Sequence, residues 1–352
     1  MAVSTPQRFR TAAEFRAGRR RSPRLSTPAS LAIGAGLLLI VAYASLVVGT
    51  AGATPVKAVQ ALFAFSPGSD TQVIVRTARL PRTAIGIGVG AALAVAGAIM
   101  QALTRNPLAD PSILGINYGA ALTAVAAVVV FKVPVEGAVP AALAGAAATA
   151  VVVYLLGSAG GGGLTAMKLT VAGAATGALL FAVMQGLLVL SEQSLEQGRR
   201  WLAGSLTGRD LEAFIAVAPY LAAGLVVALA LGRALTTFEL GEQTARGLGQ
   251  RTTLVKGAAG AAVVLLAGSA VAVAGPIGFV GLAVPHFSRV VVGSDYRRVL
   301  PHAALHGAVL LLLADVAARL VIPPRELPVG VMTALVGVPF FLHIASRMGS
   351  AR

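Results

Sequence analysis

The chain contains an apolar run from Thr83 to Leu103 that is long enough to cross a lipid bilayer. A helix rises about 1.5 Å per residue, so about 20 residues span the roughly 30 Å of hydrocarbon. Arg79 and Arg82 precede the run, and a polar turn that contains Pro107 and Pro111 follows it. The run therefore predicts a transmembrane helix with a basic mouth at one end and a sharp turn at the other.

Composition extends this interpretation to the whole chain. Hydrophobic residues make up 57% of the 352 residues, charged residues only 12%, and mean hydropathy is +0.83. These values exclude an ordinary soluble domain and leave room for about ten crossings with short connections. We predict an all-α, polytopic membrane protein with about ten transmembrane helices and both termini in the cytoplasm. The expected spans are 30–52, 82–104, 112–131, 137–157, 168–190, 211–232, 254–275, 278–292, 301–322 and 328–346.

Residues 1–29 are predicted to form an Arg-rich cytoplasmic tail ahead of a membrane domain at 30–348. Positive charge beside the first span favours the cytoplasmic side of the membrane. A lipid surface suits these side chains better than nucleic acid does. The seven arginines are Arg8, Arg10, Arg16, Arg19, Arg20, Arg21 and Arg24.

Two of the expected spans have distinctive packing features. The second carries a small residue at every fourth position, which lets neighbouring backbones approach closely, although Gly and Ala are also abundant throughout the chain. The eighth is short and contains Pro285, so we expect a partial or broken helix packed inside the protein rather than one facing lipid. The small residues are Gly86, Gly90, Ala94 and Ala98.

The sequence offers little material for chemistry within this subunit. The chain has no cysteine, and none of its four lysines lies in a G-x-x-x-x-G-K-[ST] phosphate loop, so it is not expected to hydrolyse ATP alone. We expect no enzymatic activity, no cofactor and no metal site, because the four histidines form no ligand-like cluster. Asp315 and His306 are the ionisable candidates within spans for an ion-coupled secondary transporter.

Seven motifs follow one another along the chain and carry a family resemblance. They are R-L-P-R from Arg79, Q-A-L-T-R-N-P-L-A-D-P-S-I-L-G from Gln101, W-L-A-G-S-L from Trp201, L-G-E-Q-T-A-R-G-L-G from Leu240, G-P-I-G-F-V-G-L-A-V-P-H from Gly275, L-L-L-A-D-V-A-A-R-L from Leu311, and E-L-P-V-G-V-M-T-A-L-V-G-V-P-F-F from Glu326. From about residue 30 onward the chain resembles the FecCD-type permeases of ATP-binding-cassette importers for iron-siderophores, haem and cobalamin.

The resemblance implies a permease that works as a dimer, either of two copies or with a homologous permease. Two ATPase subunits would bind it from the cytoplasm, and a substrate-binding protein would dock outside. It places Arg79, Arg82 and Arg319 at the external mouth, where arginines of the family pair with glutamates of the binding protein. A guanidinium suits this role because its fork can donate two hydrogen bonds to one carboxylate. The alternative is that Arg79 and Arg82 only extend toward the membrane surface from a helix end.

The segment 238–251 resembles the short coupling helix that contacts the ATPase in this family. Leu240, Ala245 and Leu248 could form one apolar face, while Glu242 and Arg246 could pair four residues apart. A solvated amphipathic loop is the alternative. The residues assigned to coupling are Leu240, Gly241, Glu242, Ala245, Arg246, Leu248 and Gly249, with Glu239 and Arg251 as further polar contacts.

The segment Asn106–Gly115 is predicted to be a compact turn beneath the translocation path. Pro107 and Pro111 stop the preceding helix, and Asp110 could cap the next one. Gln101 is expected to face either the path or a neighbouring helix. Trp201, Arg199 and Arg200 are expected at the external interface. Asp315, four residues before Arg319, is expected to pair with it rather than to transfer protons.

The resemblance implies the permease subunit of an importer driven by ATP, in the cell membrane, with a ferric siderophore, the commonest cargo of the family, as the expected substrate. Cobalamin and haem are alternatives within the same class. An ion-coupled transporter that uses Asp315 and His306 is the alternative from another class.

Overall fold

A computed structural model describes residues 26–49, 52–159, 165–189, 202–209, 211–323 and 325–349. Most of the Arg-rich tail lies outside these ranges, as do Arg199, Arg200 and Trp201. The described residues form helices and connecting turns, with no β-strand among them. The helices are α1 Thr27–Val47, α2 Pro55–Phe63, α3 Asp70–Ile74, α4 Leu80–Thr104, α5 Ile116–Val129, α6 Val139–Ser158, α7 Ala166–Val189, α8 Leu211–Ala230, α9 Gly232–Glu239, α10 Glu242–Gly247, α11 Thr252–Ala274, α12 Val280–Val292, α13 Tyr296–Leu320 and α14 Val329–Gly349.

The long apolar helices confirm the predicted all-α membrane architecture. Seven described helices have the length and composition to cross a membrane: α1, α6, α7, α8, α11, α13 and the combined helix Asp70–Thr104. Three shorter apolar helices accompany them, namely α5, α12 and the segment Val329–Pro339. All ten coincide with predicted spans. Helices α2 and α3 were not predicted, because short helices of 9 and 5 residues lack the apolar length that identifies a span.

The core lies around α4, which packs against α11, α12 and α13. The stripe of small residues on α4 was predicted to allow close approach of a neighbouring helix, and Gly86, Gly90 and Ala94 of this stripe lie against α13. A methyl group at Gly86 would lie 2.7 Å from Leu312 Cδ2, and one at Gly307 would lie 2.5 Å from Ala94 Cβ. Real side chains do not approach this closely, so glycine lets the two helices meet at backbone distance.

Helix α12 confirms the prediction of a short, internally packed eighth segment. It has 13 residues, contains Pro285, and contacts α4, α13 and α14. Phe279 precedes it with φ of 67°, a left-handed conformation that non-glycine residues seldom adopt. The chain from Pro276 to Phe279 is non-helical between α11 and α12, and within it Ile277 is buried while Gly278 is exposed.

The two ends of the bundle carry different features. The C-terminal ends of α1 and α13 and the N-terminal end of α4 meet at one end, which we call the arginine end because Arg79, Arg82 and Arg319 lie there. The opposite end holds α9, α10 and the turn that follows α4, and we call it the α10 end.

Candidate functional site

Five charged side chains form a cluster at the arginine end. A π-helical turn, Val75–Arg79, joins α3 to α4 and orients Arg79 inward, with 6% of its surface exposed. Such turns are frequent at functional sites. Arg82 lies in the first turn of α4, and Asp315 and Arg319 lie in the last turns of α13. Glu326, in the turn before α14, completes what we call the arginine cluster.

Asp315 is the centre of the cluster and is fully buried. Arg82 approaches it with two nitrogens, Nε at 3.0 Å and Nη2 at 2.7 Å. Arg82 Nε reaches both carboxylate oxygens, and Arg319, one turn further along α13, donates to Oδ2, which confirms the predicted pair. A buried carboxylate needs such compensation, because removal of its charge from water costs several kcal/mol or more.

Arg319 and Arg79 also hold the C-terminal end of α1. The last carbonyls of a helix have no partner within it and carry partial negative charge. Both guanidinium groups use Nη1 to reach these carbonyls. Arg319 donates to the oxygens of Ser45 and Val48 at 2.8 and 2.9 Å, and Arg79 donates to those of Leu46 and Val47 at 2.9 and 2.7 Å.

Glu326 is the most accessible carboxylate of the cluster. It accepts hydrogen bonds from Arg82 Nη1 at 2.7 Å and from the Thr207 hydroxyl at 2.9 Å. Burial acts to raise the pKa of Glu326, but the ion pair with Arg82 and the hydrogen bonds outweigh it, so the pKa lies below its ordinary value. Glu326 is therefore ionised at neutral pH.

A cavity of about 530 Å³ opens beside the cluster. Its wall includes the three motif arginines, Glu326 and a fourth arginine, Arg209. Arg209 was not predicted from the sequence as a site residue. The sequence does place a basic residue there, eight positions after Trp201 and just before the apolar run of α8. A basic residue next to the start of a span was the feature that could have identified it.

The structure thus brings Arg79, Arg82 and Arg319 together, as the resemblance implied. Each of them already donates hydrogen bonds to acceptors of this chain. Their role in docking a binding protein stays a prediction.

At the opposite end, α10 is anchored to the body of the protein by its polar residues. Glu242 accepts from Arg246 at 2.7 Å, which confirms the predicted pair, and from Lys256 of α11 at 2.8 Å. Arg246 Nε also donates to the Thr252 hydroxyl at 3.0 Å. The hydrogen bond from Lys256 is the main cause of a pKa of Glu242 below its ordinary value. Gly241, with φ of 113°, permits the sharp entry into α10.

The apolar residues of the coupling segment differ from the prediction. Ala245 is fully buried against the protein, whereas Leu240 and Leu248 are each 68% exposed. The three residues therefore do not share one face. Helix α10 has only six residues, and the two leucines flank it at its ends. Gly249, with φ of 81°, turns the chain beyond the helix. The result is a small anchored helix bordered by two exposed leucines.

Gln101 lies between helices rather than in an open path. It is 3% exposed, and its Nε2 donates to the carbonyls of Gly281 and Leu282 at 3.1 and 3.2 Å, in the first turn of α12. Arg289, further along α12, donates to the Gln101 side-chain oxygen. The amide of Gln101 therefore joins α4 to both halves of α12.

Arg289 also connects this contact to the region before α10. Its Nη1 lies 3.3 Å from the Tyr296 hydroxyl, and that hydroxyl lies 3.5 Å from Glu239 at the end of α9. Burial raises the pKa of Glu239, with the nearby charge of Arg289 acting in the opposite direction. Thr236 and Asp295 add a second link, because Tyr296 N donates to the Thr236 hydroxyl at 2.9 Å.

The segment after α4 is the compact turn that was predicted. The Asn106 side chain accepts from Leu108 N at 2.9 Å, and Asp110 caps the 3₁₀ helix Pro111–Leu114 by accepting from Ser112 N at 2.9 Å. Burial raises the pKa of Asp110. Pro107 lies in the turn three residues beyond the end of α4, and Pro111 opens the short helix.

His306 and Asp315 have separate surroundings. His306 Nδ1 lies 2.9 Å from the Ser288 hydroxyl, and its ring packs edge-on to Phe287. Asp315 is neutralised by two arginines, as described above. No group of three or more side chains that could bind a metal occurs among the described residues.

Comparisons with known proteins agree with this architecture. The model of the FecCD transport family matches residues 37–347. The chain is 48% identical over 312 residues to the probable siderophore transport system permease protein YfiZ of Bacillus subtilis, covering 88% of this chain and 93% of that protein. It is 41% identical over 314 residues to the ferric enterobactin transport system permease protein FepD of Escherichia coli, with the same coverage of 88% and 93%.

Solved structures include a similar protein. An inward-facing metal-chelate type ABC transporter superposes with a TM-score of 0.78 at 29% identity, over 91% of this chain and 99% of that chain. Another relative, the cobalamin import system permease protein BtuC of Halobacterium salinarum, is 43% identical over 280 residues, covering 80% of this chain and 75% of that protein.

Proposed function

This chain belongs to the FecCD transport family, and from that premise we propose that it is the permease subunit of an ATP-binding-cassette importer that carries a ferric siderophore into the cytoplasm. The observation that carries this proposal is the family match over 37–347 together with a relative, 48% identical, that is named for siderophore transport. Further relatives are named for ferric citrate, ferric hydroxamate and ferric enterobactin. One named for cobalamin keeps that cargo as the second candidate.

The ten apolar helices support a ten-crossing topology. We propose that the seven long helices and the three shorter ones all cross the membrane in alternating directions. An even number of crossings returns the chain to the side on which it began, and the Arg-rich tail favours the cytoplasm for that side. The arginine end then faces outward and the α10 end faces the cytoplasm.

The two ends of the bundle fit two kinds of partner. At the arginine end, Arg79, Arg82 and Arg319 would receive carboxylates of an extracytoplasmic binding protein. At the α10 end, the exposed Leu240 and Leu248 would contact an ATPase subunit, because exposed leucines beside an anchored helix suit a protein interface. A second permease, identical or homologous, and two ATPase subunits would complete the importer.

In this mechanism the permease performs no bond chemistry. ATP binding draws the two ATPases together. Helix α10 moves with them, because it would contact an ATPase on one side and is joined to α11 of the permease on the other. The paired permeases then exchange between two packings that open the central path to one side or the other. The non-helical chain at 276–279 and the short α12 provide a place where the packing can change.

The test is uptake of ⁵⁵Fe-siderophore by iron-starved cells that lack the native permease. We compare the intact protein, the double variant Leu240→Asp/Leu248→Asp, and Val56→Asp. Val56 is the matched control, because it is also an exposed apolar residue but lies in α2, at the arginine end. We expect uptake to fall at least tenfold in the double variant and to persist in the control, at equal membrane abundance.

A second arm separates the two classes of transporter. A protonophore should leave uptake intact while cellular ATP is maintained. If uptake collapses with the proton gradient and survives the double substitution, the ion-coupled alternative replaces this proposal.

A further inference from the structure

We propose that Arg209 is a binding residue for a carboxylate that enters the cavity at the arginine end. This inference deepens the proposed function and rests on it for the outward orientation of the cavity. It adds a residue that none of the motifs contains.

The four arginines of the cavity differ in the acceptors to which they donate hydrogen bonds. Arg82 and Arg319 bind Asp315 and Glu326, and Arg79 binds carbonyls of α1. Arg209 donates through Nε to the carbonyl of Ser205 at 2.9 Å. That carbonyl is the one acceptor found for it among the described residues, and neither Nη group donates to any of them. A guanidinium with two available donors on one edge matches the two oxygens of a carboxylate.

The cavity wall has an excess of positive charge. The cavity wall carries four arginines and Glu326, with Asp315 directly behind it. Four positive charges therefore face two negative ones among the described residues, and both carboxylates are already paired with Arg82 or Arg319. The pocket attracts anions, and no described carboxylate forms an ion pair with Arg209.

The desolvation of Arg209 agrees with this. Burial lowers the pKa of Arg209 to about 10, so the group is still protonated at neutral pH while it has lost part of its hydration. A partly desolvated cation gains more from an incoming anion than a fully hydrated one does.

The cavity is open to solvent next to Arg209. Thr207 and Gly208, which precede Arg209, are exposed at the lip of the cavity. Gly208 has φ of 65° and no atom outside its chain neighbours within 4 Å of the place where a Cβ would lie, so the turn that precedes Arg209 borders open space. The cavity volume of about 530 Å³ falls within the range of sites for small molecules, roughly 300–1,000 Å³.

The ligand chemistry is a carboxylate, and it has two possible sources. One is the anionic chelate that carries the iron, and the other is an acidic side chain of the docked binding protein. Both would place a carboxylate against the Nη edge of Arg209.

The experiment measures binding to the full-length permease in lipid nanodiscs, without ATPase subunits. The first probe is ⁵⁵Fe-citrate at equilibrium, and the second is the purified substrate-binding protein of the same importer. The variants are Arg209→Gln and Arg209→Lys, with Arg233→Gln as the control because Arg233 is an exposed arginine of α9 at the opposite end. Thermal melting confirms that each variant is folded.

We expect Arg209→Gln to weaken at least one probe by at least tenfold, Arg209→Lys to weaken it less, and Arg233→Gln to leave both unchanged. Loss of ⁵⁵Fe-citrate alone identifies the chelate as the source of the carboxylate. Loss of the binding protein alone identifies the docked protein. If Arg209→Gln binds both probes as the intact permease does, the inference is wrong, whereas a failure of the proposed function appears in the uptake assay and not here.

Discussion

At the scale of single residues, Asp315 decides how the arginine end is organised. It is buried on α13 and holds Arg82 of α4 and Arg319 of its own helix. Arg319 in turn binds the last carbonyls of α1. One carboxylate therefore orients the side chains that hold three membrane helices together.

Removal of this charge should destabilise the protein strongly. The substitution Asp315→Asn keeps the shape of the side chain but removes the counter-charge of Arg319 and one of the two counter-charges of Arg82. Breaking one partner of a buried ion pair costs about 3–5 kcal/mol. We expect a clear fall in the melting temperature of the purified permease in detergent, measured by intrinsic fluorescence.

The control for this change is Arg297→Gln, which removes an exposed partner of Asp295. Exposed pairs contribute little, because water screens them. Equal melting of Asp315→Asn and the intact protein would show that the cluster does not hold the helices together.

Glu242 should make the stability of the α10 end depend on pH. Its pKa is lowered, chiefly by the hydrogen bond from Lys256, so the folded state favours the ionised form. Such a group stabilises the protein above its unfolded pKa, and the contribution is lost as pH falls through the lower, folded pKa. We expect the melting temperature of the intact protein to exceed that of Glu242→Gln at pH 7.

This difference should shrink as the pH is lowered below the ordinary range of glutamate. The measurement is a pair of melting series across pH. A difference that stays constant down to the acid limit would mean that the pair with Lys256 adds no pH-dependent stability.

At the scale of elements, α12 is joined to its neighbours by polar contacts as well as by packing. Gln101 binds its first turn, and Arg289 connects its last turns to Gln101 and Tyr296. Glu239 lies next to this network and only three residues before α10 begins. A displacement of α10 therefore has a short polar route to α12.

The substitution Arg289→Leu should weaken the coupling between ATP hydrolysis and uptake. It removes the donor that joins α12, α4 and α13, while α10 and its exposed leucines remain. In proteoliposomes with the complete importer, we expect uptake to fall at least fivefold more than ATP hydrolysis does. Arg298→Leu, at an exposed position near the start of α13, is the control. A proportional fall in both rates would indicate a structural role alone.

The helices could be predicted more fully than their contacts. An apolar run of about 20 residues is a local signal, so all ten apolar segments were recognised from the sequence. The carboxylate partners of Arg82 were not predicted, since the Arg82–Asp315 contact joins residues 233 positions apart. The Asp315–Arg319 pair was predicted because it lies within one helical turn. The predicted apolar face of Leu240, Ala245 and Leu248 was wrong, because α10 covers only Glu242–Gly247 and both leucines lie outside it.

At the scale of the whole molecule, the remaining question is which end faces the cytoplasm. The chain has no cysteine, so single cysteines can report the side of the membrane without background. Gly68 lies between α2 and α3 at the arginine end, and Gly247 ends α10. Neither has an atom within 4 Å of the place where a Cβ would lie, so both tolerate a side chain.

With an even number of crossings and the Arg-rich tail inside, Gly68→Cys should react with a membrane-impermeant maleimide in intact cells. Gly247→Cys should react only after the membrane is permeabilised. The two variants serve as controls for each other, because they differ only in the end of the bundle that carries the thiol. Labelling of Gly247→Cys from outside, with Gly68→Cys protected, would invert the orientation, and the arginine cavity would then face the ATPase rather than the incoming chelate.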